Sequence, residues 1–448
     1  MRRNAIAVAV VFGIALFVRL TVIAQLLDEP LFRSPQLDGL EYLNWGSRIA
    51  LGDFAWPADP IHGPGYPLFV GLVLAIARTL SALHVLQAVL GSIAAVLLMV
   101  AAARMYGAVA GIAAGIFYAI CAPLVLIEVS FLAESILMPA LVAALFTGAR
   151  RPVASGLLLG FATIVRPTAA ILVPLFGWLI ARDRGSRVIA FLIAAAIPIV
   201  PVLVLNTTTG GSPAIQRAGG MNFYIGNSPL HDGTGWARPG GDWDLMRGTA
   251  WRAGVRGAAS EDRYFLTHAI REIGSDPLAW LRLLGSKAIW LTQDEEIRDT
   301  HSFHFFAASS SLLRALPGYG IFFALACAGF FIAAREKGLS PLLTGYTLLI
   351  ALTVIGLIAG SRYRAPIVPA LIIYGALAVA WMAGKTAQRD RRALIAPASI
   401  FVVALALSQI RTHAPSHDFA EETAMSALAL RAEGNLPAAQ AMAQRAVS

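Results

Sequence analysis

Charged side chains are scarce in this chain. Asp, Glu, Lys and Arg make up 14% of its 448 residues, whereas 57% are hydrophobic and the mean hydropathy is +0.68. Soluble domains carry about 25% charged residues, so the composition excludes a soluble multidomain protein. Apolar runs of roughly 20 residues recur, which is the length that crosses the hydrocarbon core as a helix. Because only helices and closed barrels satisfy the backbone in lipid, these runs predict an all-α polytopic membrane protein.

Cysteine is nearly absent, and so are the common nucleotide and hydrolase motifs. Cys121 and Cys327 both lie inside apolar runs, which excludes a disulfide framework and a cysteine metal site. No GxxxxGKS, GxSxG or HExxH sequence occurs. The net charge of +9 does not indicate nucleic-acid binding, because the basic residues fall in short clusters between the apolar runs. By the positive-inside rule these clusters face the cytoplasm. They are Arg2/Arg3, Arg104, Arg150/Arg151, Arg182/Arg184/Arg187, Arg335/Lys337 and Lys385/Arg389/Arg391/Arg392.

The basic clusters predict the topology. With a cytoplasmic N-terminus, they place two loops, 28–66 and 206–314, and the tail 411–448 outside the cell membrane. For all basic clusters to face the same side, the chain must form a hairpin that turns at Arg166-Pro167. For the same reason, Pro67–Leu80 must be an interfacial or re-entrant helix and not a further crossing. We expect about 10–13 transmembrane or re-entrant helices, with external juxtamembrane helices.

The large loop and the tail contain helix signals of their own. Ser260 before Glu261 and Asp262 predicts a helix start, as does Ser275-Asp276-Pro277. The segment 277–291 is typical of a helix in the membrane interface, with Lys287 on its basic face. The tail resembles one tetratricopeptide hairpin that turns at Gly434-Asn435, with a plain amphipathic tail as the alternative. One such unit is too small to stand alone, so we expect it to pack on the rest of the chain.

The segment Leu37–Pro67 is acidic, aromatic and proline-rich, and it directly follows the first apolar helix. A charge near the bilayer centre costs several kcal/mol, so carboxylates at this boundary indicate chemistry on a substrate that is partly lipid. These carboxylates are Asp38, Glu41, Asp53 and Asp59. Two interpretations of Asp38 and Glu41 stay open: a capping box at a helix start, or a catalytic carboxylate at Asp38.

Glu134 lies in a short external turn, on the same side as Asp38. Two carboxylates that converge there would share base and orienting duties or hold a cation, and a helix cap is the alternative. Arginines at membrane depth complement these acids, because the guanidinium fork matches phosphate oxygens. The candidates are Arg19, Arg166, Arg362 and Arg364. The alternative for Arg19 is an internal ion pair or a snorkelling side chain, and for Arg362 and Arg364 a headgroup anchor.

Several other signals are weak. Asp242-Trp243-Asp244 has the DxD spacing that some enzymes use to bind a metal, but this spacing is common by chance. Asp294-Glu295-Glu296 is typical of a solvated run, and His301 and His304 lack flanking ligands. Asn206-Thr207-Thr208 is a formal glycosylation sequon.

A set of short motifs occurs in order along the membrane portion of the chain. They are Asp38–Tyr42 (DGLEY), Ile61–Phe69 (IHGPGYPLF), Phe131–Leu137 (FLAESIL), Gly156–Pro167 (GLLLGFATIVRP), Asn222–Asn227 (NFYIGN) and Ser361–Leu371 (SRYRAPIVPAL). Their order and spacing resemble the GT-C superfamily of membrane glycosyltransferases. The resemblance is closest to the branch of protein O-mannosyltransferases and lipid A aminoarabinose transferases, glycosyltransferase family 39. It implies a GT-C fold over residues 1–410, an active site in the first external loop and a sugar donor linked to polyprenyl phosphate.

The same resemblance implies roles for individual residues. Asp38 matches the catalytic aspartate of the family, with Tyr42 completing its D-x-x-x-Y setting. Relatives often have an acid directly after that aspartate, where this chain has a glycine, so whether Glu41 substitutes stays open. His62 falls near the expected donor phosphate, and Glu134 matches an acidic position in the second external loop. The tail and the large loop lie outside the resemblance, and acceptor choice would reside there.

We therefore expect an inverting glycosyltransferase at the periplasmic face of a bacterial inner membrane. It would move a sugar from a polyprenyl-phosphate donor to a protein, lipid or glycan acceptor, and whether a divalent cation takes part stays open. One alternative is a transporter or lipid flippase of the cell envelope that uses the same charges as a pathway. Another is a non-catalytic scaffold that binds a protein partner through its tail.

Overall fold

The fold is helical throughout the part of the chain that the structure, a computed structural model, describes. That part comprises residues 2–57, 60–209, 213–235, 237, 241–300, 302–410 and 419–447. These ranges contain no strand and only one isolated bridge, between Thr234 and Ala359. The all-α prediction is confirmed.

The helices of the first half alternate between long membrane segments and short connecting pieces. They are α1 (Arg2–Leu26), α2 (Pro30–Arg33), α3 (Asp38–Ala50), α4 (Gly65–Ala77), α5 (Leu80–Tyr106), α6 (Ala108–Ile120), α7 (Ala122–Val129), α8 (Glu134–Thr147), α9 (Pro152–Val165), α10 (Leu172–Arg184) and α11 (Val188–Thr208).

The second half begins with helices outside the bundle, continues with membrane segments and ends with a hairpin. These helices are α12 (Gly219–Asn227), α13 (Gly241–Arg252), α14 (Ala258–Ser275), α15 (Pro277–Trp290), α16 (Phe303–Ser309), α17 (Ser311–Ala315), α18 (Tyr319–Ile332), α19 (Pro341–Gly356), α20 (Ser361–Arg364), α21 (Val368–Ala387), α22 (Arg391–Ser408), α23 (Ala420–Ala432) and α24 (Leu436–Val447).

This is a multi-pass membrane protein. Within the described ranges, six helical segments are long and apolar enough to cross a bilayer, and α6 with α7 adds a seventh that is bent by 59°. The six segments are Ala5–Leu26, Leu80–Tyr106, Gly185–Thr208, Ser311–Lys337, Ser361–Ala387 and Arg391–Ser408. Three shorter apolar helices, α4, α9 and α19, accompany them. The short helix α4 covers most of Pro67–Leu80, and its Tyr66 hydroxyl donates to Gln87 near the start of α5 (2.9 Å).

Close packing of α9 on α11 fixes the position of Arg166. A Cβ atom added at Gly156 or Gly160 would lie 2.4 Å and 2.3 Å from carbonyl oxygens of α11. Small residues at such a contact let helix backbones approach closely in lipid. The chain then passes through Arg166 in extended conformation and through a 3-10 turn into α10. Helix α10 contacts the turn 148–150 that precedes α9, so the chain reverses its direction at Arg166. The predicted hairpin at Arg166-Pro167 is therefore present.

Arg19 is part of an ion pair inside the helix bundle. Its guanidinium donates to the carboxylate of Glu128 from both Nε (2.8 Å) and Nη2, and both side chains are fully buried. The Tyr118 hydroxyl donates to the second carboxylate oxygen of Glu128 (2.6 Å). This is the ion-pair alternative for Arg19, and it places the arginine away from the site described below.

The large loop agrees only in part with its sequence signals. The carboxylate of Asp276 caps α15 as predicted, accepting from the amide of Ala279 (2.9 Å). Helix α14 begins at Ala258, before the predicted Ser260 start. The placement of Lys287 on an exposed basic face was wrong, because its side chain is fully buried. Its ammonium group donates to the carbonyls of Leu357 (2.7 Å) and Ile355 (3.2 Å) at the end of α19, where the last carbonyls have no partner within the helix.

Candidate active site

The structure brings four of the predicted site residues together at one end of the bundle. Asp38 is the first residue of α3, Glu134 is the first residue of α8, Arg166 follows α9, and Arg362 lies in α20. Asp38 and Glu134 lie one residue after the N-caps, which are Leu37 and Ala133. The amide of Glu41 donates to the carbonyl of Leu37 (3.1 Å), so the capping-box and helix-cap alternatives are not supported. Asp38 nevertheless lies at the positive end of α3, which favours its ionised form.

Arg362 lies between two carboxylates. Its Nη1 donates to Asp38 Oδ2 (2.6 Å), and its Nε approaches Asp299 Oδ2 to 2.6 Å in an ion pair without hydrogen-bond alignment. Its Nη2 donates to the hydroxyl of Tyr363 (2.9 Å). Burial alone would raise the pKa of Asp38, but the charges of Arg362 and then His62 outweigh it and hold that pKa well below its usual range. Asp38 is therefore ionised at neutral pH.

His62 connects Asp38 to Glu41. Its Nε2 lies 3.1 Å from Glu41 Oε2 and 3.6 Å from Asp38 Oδ1. Its ring packs at 4.8 Å from the ring of Tyr42, which is buried beneath it and makes an edge contact with Tyr66. Glu41 thus contacts the site through His62, and Tyr42 supports the imidazole ring.

Arg166 has hydrogen-bonding capacity to spare. Its Nη2 lies 2.6 Å from Glu134 Oε1 in an ion pair. The Nε and Nη2 groups of Arg166 and the Oε2 atom of Glu134 are buried, and none has a hydrogen-bond partner among the residues that the structure describes. Buried polar groups are nearly always satisfied, so this pair is suited to a ligand that supplies acceptor oxygens.

These side chains line a cavity of about 850 Å³, the polar chamber. Its walls include Asp38, His62, Arg166, Arg362, Asp299, Tyr363, Asn222, Gln216 and Trp243. A second cavity of about 710 Å³, the apolar groove, adjoins it. The two share Arg166, Arg362 and Tyr363. Leu137, Leu141, Ile350, Val354 and Leu357 form much of the apolar groove.

A third cavity, the outer groove, adjoins the polar chamber on another side. It has a volume of about 710 Å³. Its walls include Glu41 and His62, which it shares with the polar chamber, and Asn44, Trp45 and Arg48 of α3. The polar chamber, which Asp38 lines, therefore shares walls with both the apolar groove and the outer groove.

Several residues of the polar chamber have no strong signal in the sequence. Asp299 lies three residues after the acidic run 294–296, which the sequence predicts to be solvated. Trp243 lies in the DxD triplet, where the tryptophan rather than either aspartate lines the chamber. Asn222 and Tyr363 belong to motifs of the family resemblance, but no property of their own distinguishes them.

The prediction of a solvated run at 294–296 was wrong. Glu296 is buried and accepts from Arg364 (2.7 Å), and Glu295 contacts His304 (2.8 Å). Asp294 accepts from the amide of Gly320 in the first turn of α18 (2.6 Å). The guanidinium of Arg364 also lies 3.8 Å from the ring centre of Tyr319. Arg364 thus fastens this segment to the bundle and does not line the polar chamber.

The site residues show no ready metal cluster. No three His, Cys, Asp or Glu side chains stand close enough to hold a metal ion in the ranges that the structure covers. Arg362 is the cation between Asp38 and Asp299. The sequon at Asn206 has its side chain fully buried, in contact with Trp56 and Ala214, and so offers no accessible amide for modification.

No protein-family model and no curated protein sequence matches the chain. Among solved structures, it is similar to the oligosaccharyltransferase of Archaeoglobus fulgidus tethered with an acceptor peptide, with a TM-score of 0.46, 13% identity, and coverage of 92% of this chain and 57% of that one. The complex of the same enzyme with Zn and sulfate gives a TM-score of 0.42, 14% identity, and coverage of 92% and 55%. The apo form of the same enzyme gives a TM-score of 0.45, 14% identity, and coverage of 92% of this chain and 57% of that one. The chain therefore spans little more than half the length of these structures, and the superposition is too loose to transfer their fold or activity.

Proposed function

We propose that the protein is an inverting glycosyltransferase that uses a polyprenyl-phosphate sugar as donor. The observation that carries this proposal is one chamber where an ionised carboxylate, Asp38, faces arginines that also border an apolar groove. Such a site suits a substrate with an anionic head and a hydrocarbon tail. The family resemblance of the sequence supports the same conclusion.

The donor would bind across the boundary between the polar chamber and the apolar groove. Its isoprenoid tail would lie against Leu141 and Val354, and its phosphate against Arg166 and Arg362. Arg166 would use its Nε and Nη2 groups, which make no hydrogen bond within the described part of the chain, while the ion pair with Glu134 holds its guanidinium in place. Preorganised cations stabilise the negative charge that develops on a leaving phosphate, which lowers the barrier to bond cleavage.

Asp38 would accept the proton from the acceptor. The acceptor hydroxyl or amine attacks the anomeric carbon, the bond from that carbon to the phosphate oxygen breaks, and the acceptor proton passes to Asp38. Its low pKa makes Asp38 a weak base in the free protein. A bound phosphate would draw Arg362 away from Asp38 and so raise the pKa of Asp38 toward the range useful for catalysis.

The acceptor would approach through the outer groove, past Glu41 and His62. Attack from that side lies opposite the phosphate at Arg166 and inverts the anomeric centre. We place the reaction at the periplasmic face of a bacterial inner membrane, with the N-terminus in the cytoplasm and the tail outside. The acceptor is a protein, lipid or glycan.

The test uses purified full-length protein in lipid nanodiscs. It is incubated with polyprenyl phosphates that carry radiolabelled hexoses or pentoses, together with envelope lipid and protein extracts as acceptors. Wild-type protein should transfer label from one of these donors, and Asp38→Asn protein should not. Movement of donor across sealed vesicles without transfer would instead favour a transporter and overturn the proposal.

A further inference from the structure

The C-terminal hairpin, α23 with α24, docks beside the segment that leads to Asp38. At its turn, Glu433 accepts from Arg33 Nε (3.2 Å) and Nη2 (2.8 Å) and from the hydroxyl of Ser34 (2.7 Å). The hydroxyl of Ser426 donates to Glu29 (3.1 Å). These contacts fasten the hairpin to both ends of α2, just before the first residue of α3.

The same hairpin contacts a second segment of the site. Arg298 lies 3.4 Å from the carboxylate of Glu422 and 3.8 Å from that of Glu421. Glu422 is almost fully buried in this contact. Met425 packs into an apolar cluster with Leu31, Phe32 and Phe306.

These two segments carry the two carboxylates that share Arg362. Asp38 follows Arg33 by five residues, and Asp299 is the immediate neighbour of Arg298. Between Arg33 and Asp38 the backbone passes through Leu37 at a φ of 56°, a conformation that non-glycine residues rarely adopt and that the surrounding contacts must hold.

We propose that the C-terminal hairpin is a brace that holds the Asp38 and Asp299 segments at the spacing in which both carboxylates engage Arg362. Glu433 and Glu422 are positioning residues, acting through Arg33 on one side and Arg298 on the other. The brace itself is a claim about the structure. Only its effect on turnover rests on the proposed function.

A charge reversal on one side of the hairpin tests whether it acts as one rigid piece. Glu433→Arg places like charges at Arg33, and Arg33→Glu does the same from the other partner. The double variant R33E/E433R restores the opposite charges. Arg431→Glu is the matched control, because it reverses a charge on the exposed side of α23 where no side-chain contact is recorded among the described residues.

Hydrogen exchange of the full chain in nanodiscs gives the first readout. Both single variants should speed exchange in segments 34–38 and 294–300 by about fivefold or more, since an exposed ion pair is worth up to about that factor and reversal adds repulsion. The double variant should return both segments toward wild-type rates, and the control should change neither. Unchanged exchange at 294–300 in E433R protein would overturn the brace.

Turnover gives the second readout. In the transfer assay, E433R protein should lose kcat several-fold with its KM for the donor within about twofold, because both arginines that would bind the donor phosphate, Arg166 and Arg362, remain in place. The double variant should recover kcat. If the single variants speed hydrogen exchange in both segments but wild-type protein transfers no sugar, the proposed function alone is rejected. If wild-type protein transfers sugar but E433R leaves exchange at 294–300 unchanged, the brace alone is rejected.

Discussion

Asp38 and Asp299 bind the same arginine, and this symmetry permits a sharp test of which one is the base. Replacement of either by Asn keeps the shape of the side chain but removes its charge. Both side chains are 10% exposed, and each contacts Arg362 at 2.6 Å. The two variants are therefore matched in exposure and share Arg362 as their ion-pair partner, although Asp38 also lies 3.6 Å from His62.

The expected loss of stability is similar for the two variants. Removal of one partner from a buried ion pair costs about 3–5 kcal/mol when the remaining charge is left alone. Arg362 is not left alone in either variant, because it retains the other carboxylate and the hydroxyl of Tyr363. We therefore expect roughly 1–2 kcal/mol, close to the value of a single hydrogen bond to a charged group.

The expected loss of activity differs between them. Removal of a general base lowers the rate by about 10²–10⁴, which we expect for Asp38→Asn. Asp299→Asn leaves the base and its contact with Arg362 intact, so we expect a loss within about tenfold from poorer positioning. The assay is transfer from labelled polyprenyl-phosphate sugar, normalised to folded protein measured by thermal unfolding.

Two outcomes would refute this reasoning. If Asp38→Asn protein keeps more than a tenth of its turnover, position 38 is not the base. If both variants lose turnover equally, the two carboxylates act only by holding Arg362.

Four further predictions follow from the site and its surroundings. Arg166→Gln should raise the donor KM about tenfold or more with a smaller change in Kd for a phosphate-free prenyl alcohol, since only the phosphate contact is lost; equal weakening of both ligands would contradict that role. Val354→Trp should fill the apolar groove and impair long-chain donors more than short-chain ones, measured as the ratio of their kcat/KM; an unchanged ratio would place the tail elsewhere. Burial lowers the pKa of Lys287 to about 7, so the folded state binds fewer protons than the unfolded state above that pH. The Tm of wild-type protein should therefore rise between pH 7 and 9, and the Tm of Lys287→Met protein should change less over the same range. Asn44→Cys, on the exposed face of α3, should react with an impermeant maleimide added outside intact spheroplasts; labelling only after lysis would reverse the topology.

The sequence predicts the site where its residues share a local motif or a side of the membrane. Asp38, Glu134, Arg166 and Arg362 each lie at a helix end, and alternation of the basic clusters assigns these ends to one face. Counting membrane crossings therefore predicts that the four lie on the same side of the membrane. The packing of the helices then brings them to one site.

The remaining residues depend on contacts between distant parts of the chain. Asp299 joins the site only because Arg362 reaches it across 63 residues, and no local pattern records that distance. Lys287 has the spacing of an exposed basic face, yet its side chain is buried and donates to carbonyls at the end of α19, a distant part of the chain. The sequence does not distinguish Arg19 from an arginine that binds phosphate, because its ion pair with Glu128 is visible only in the structure.

The buried pair of Arg19 and Glu128 constrains how this chain can vary among its relatives. Loss of either partner would strand a charge in the bundle, whereas replacement of both by apolar residues is tolerated in other proteins. The ion pair also requires glycine at position 91, because a Cβ there would lie 2.5 Å from Glu128 Oε2 and 2.6 Å from Arg19 Nε. We expect these three positions to covary as a block, so that a homologue with a larger residue at 91 also lacks the arginine and the glutamate.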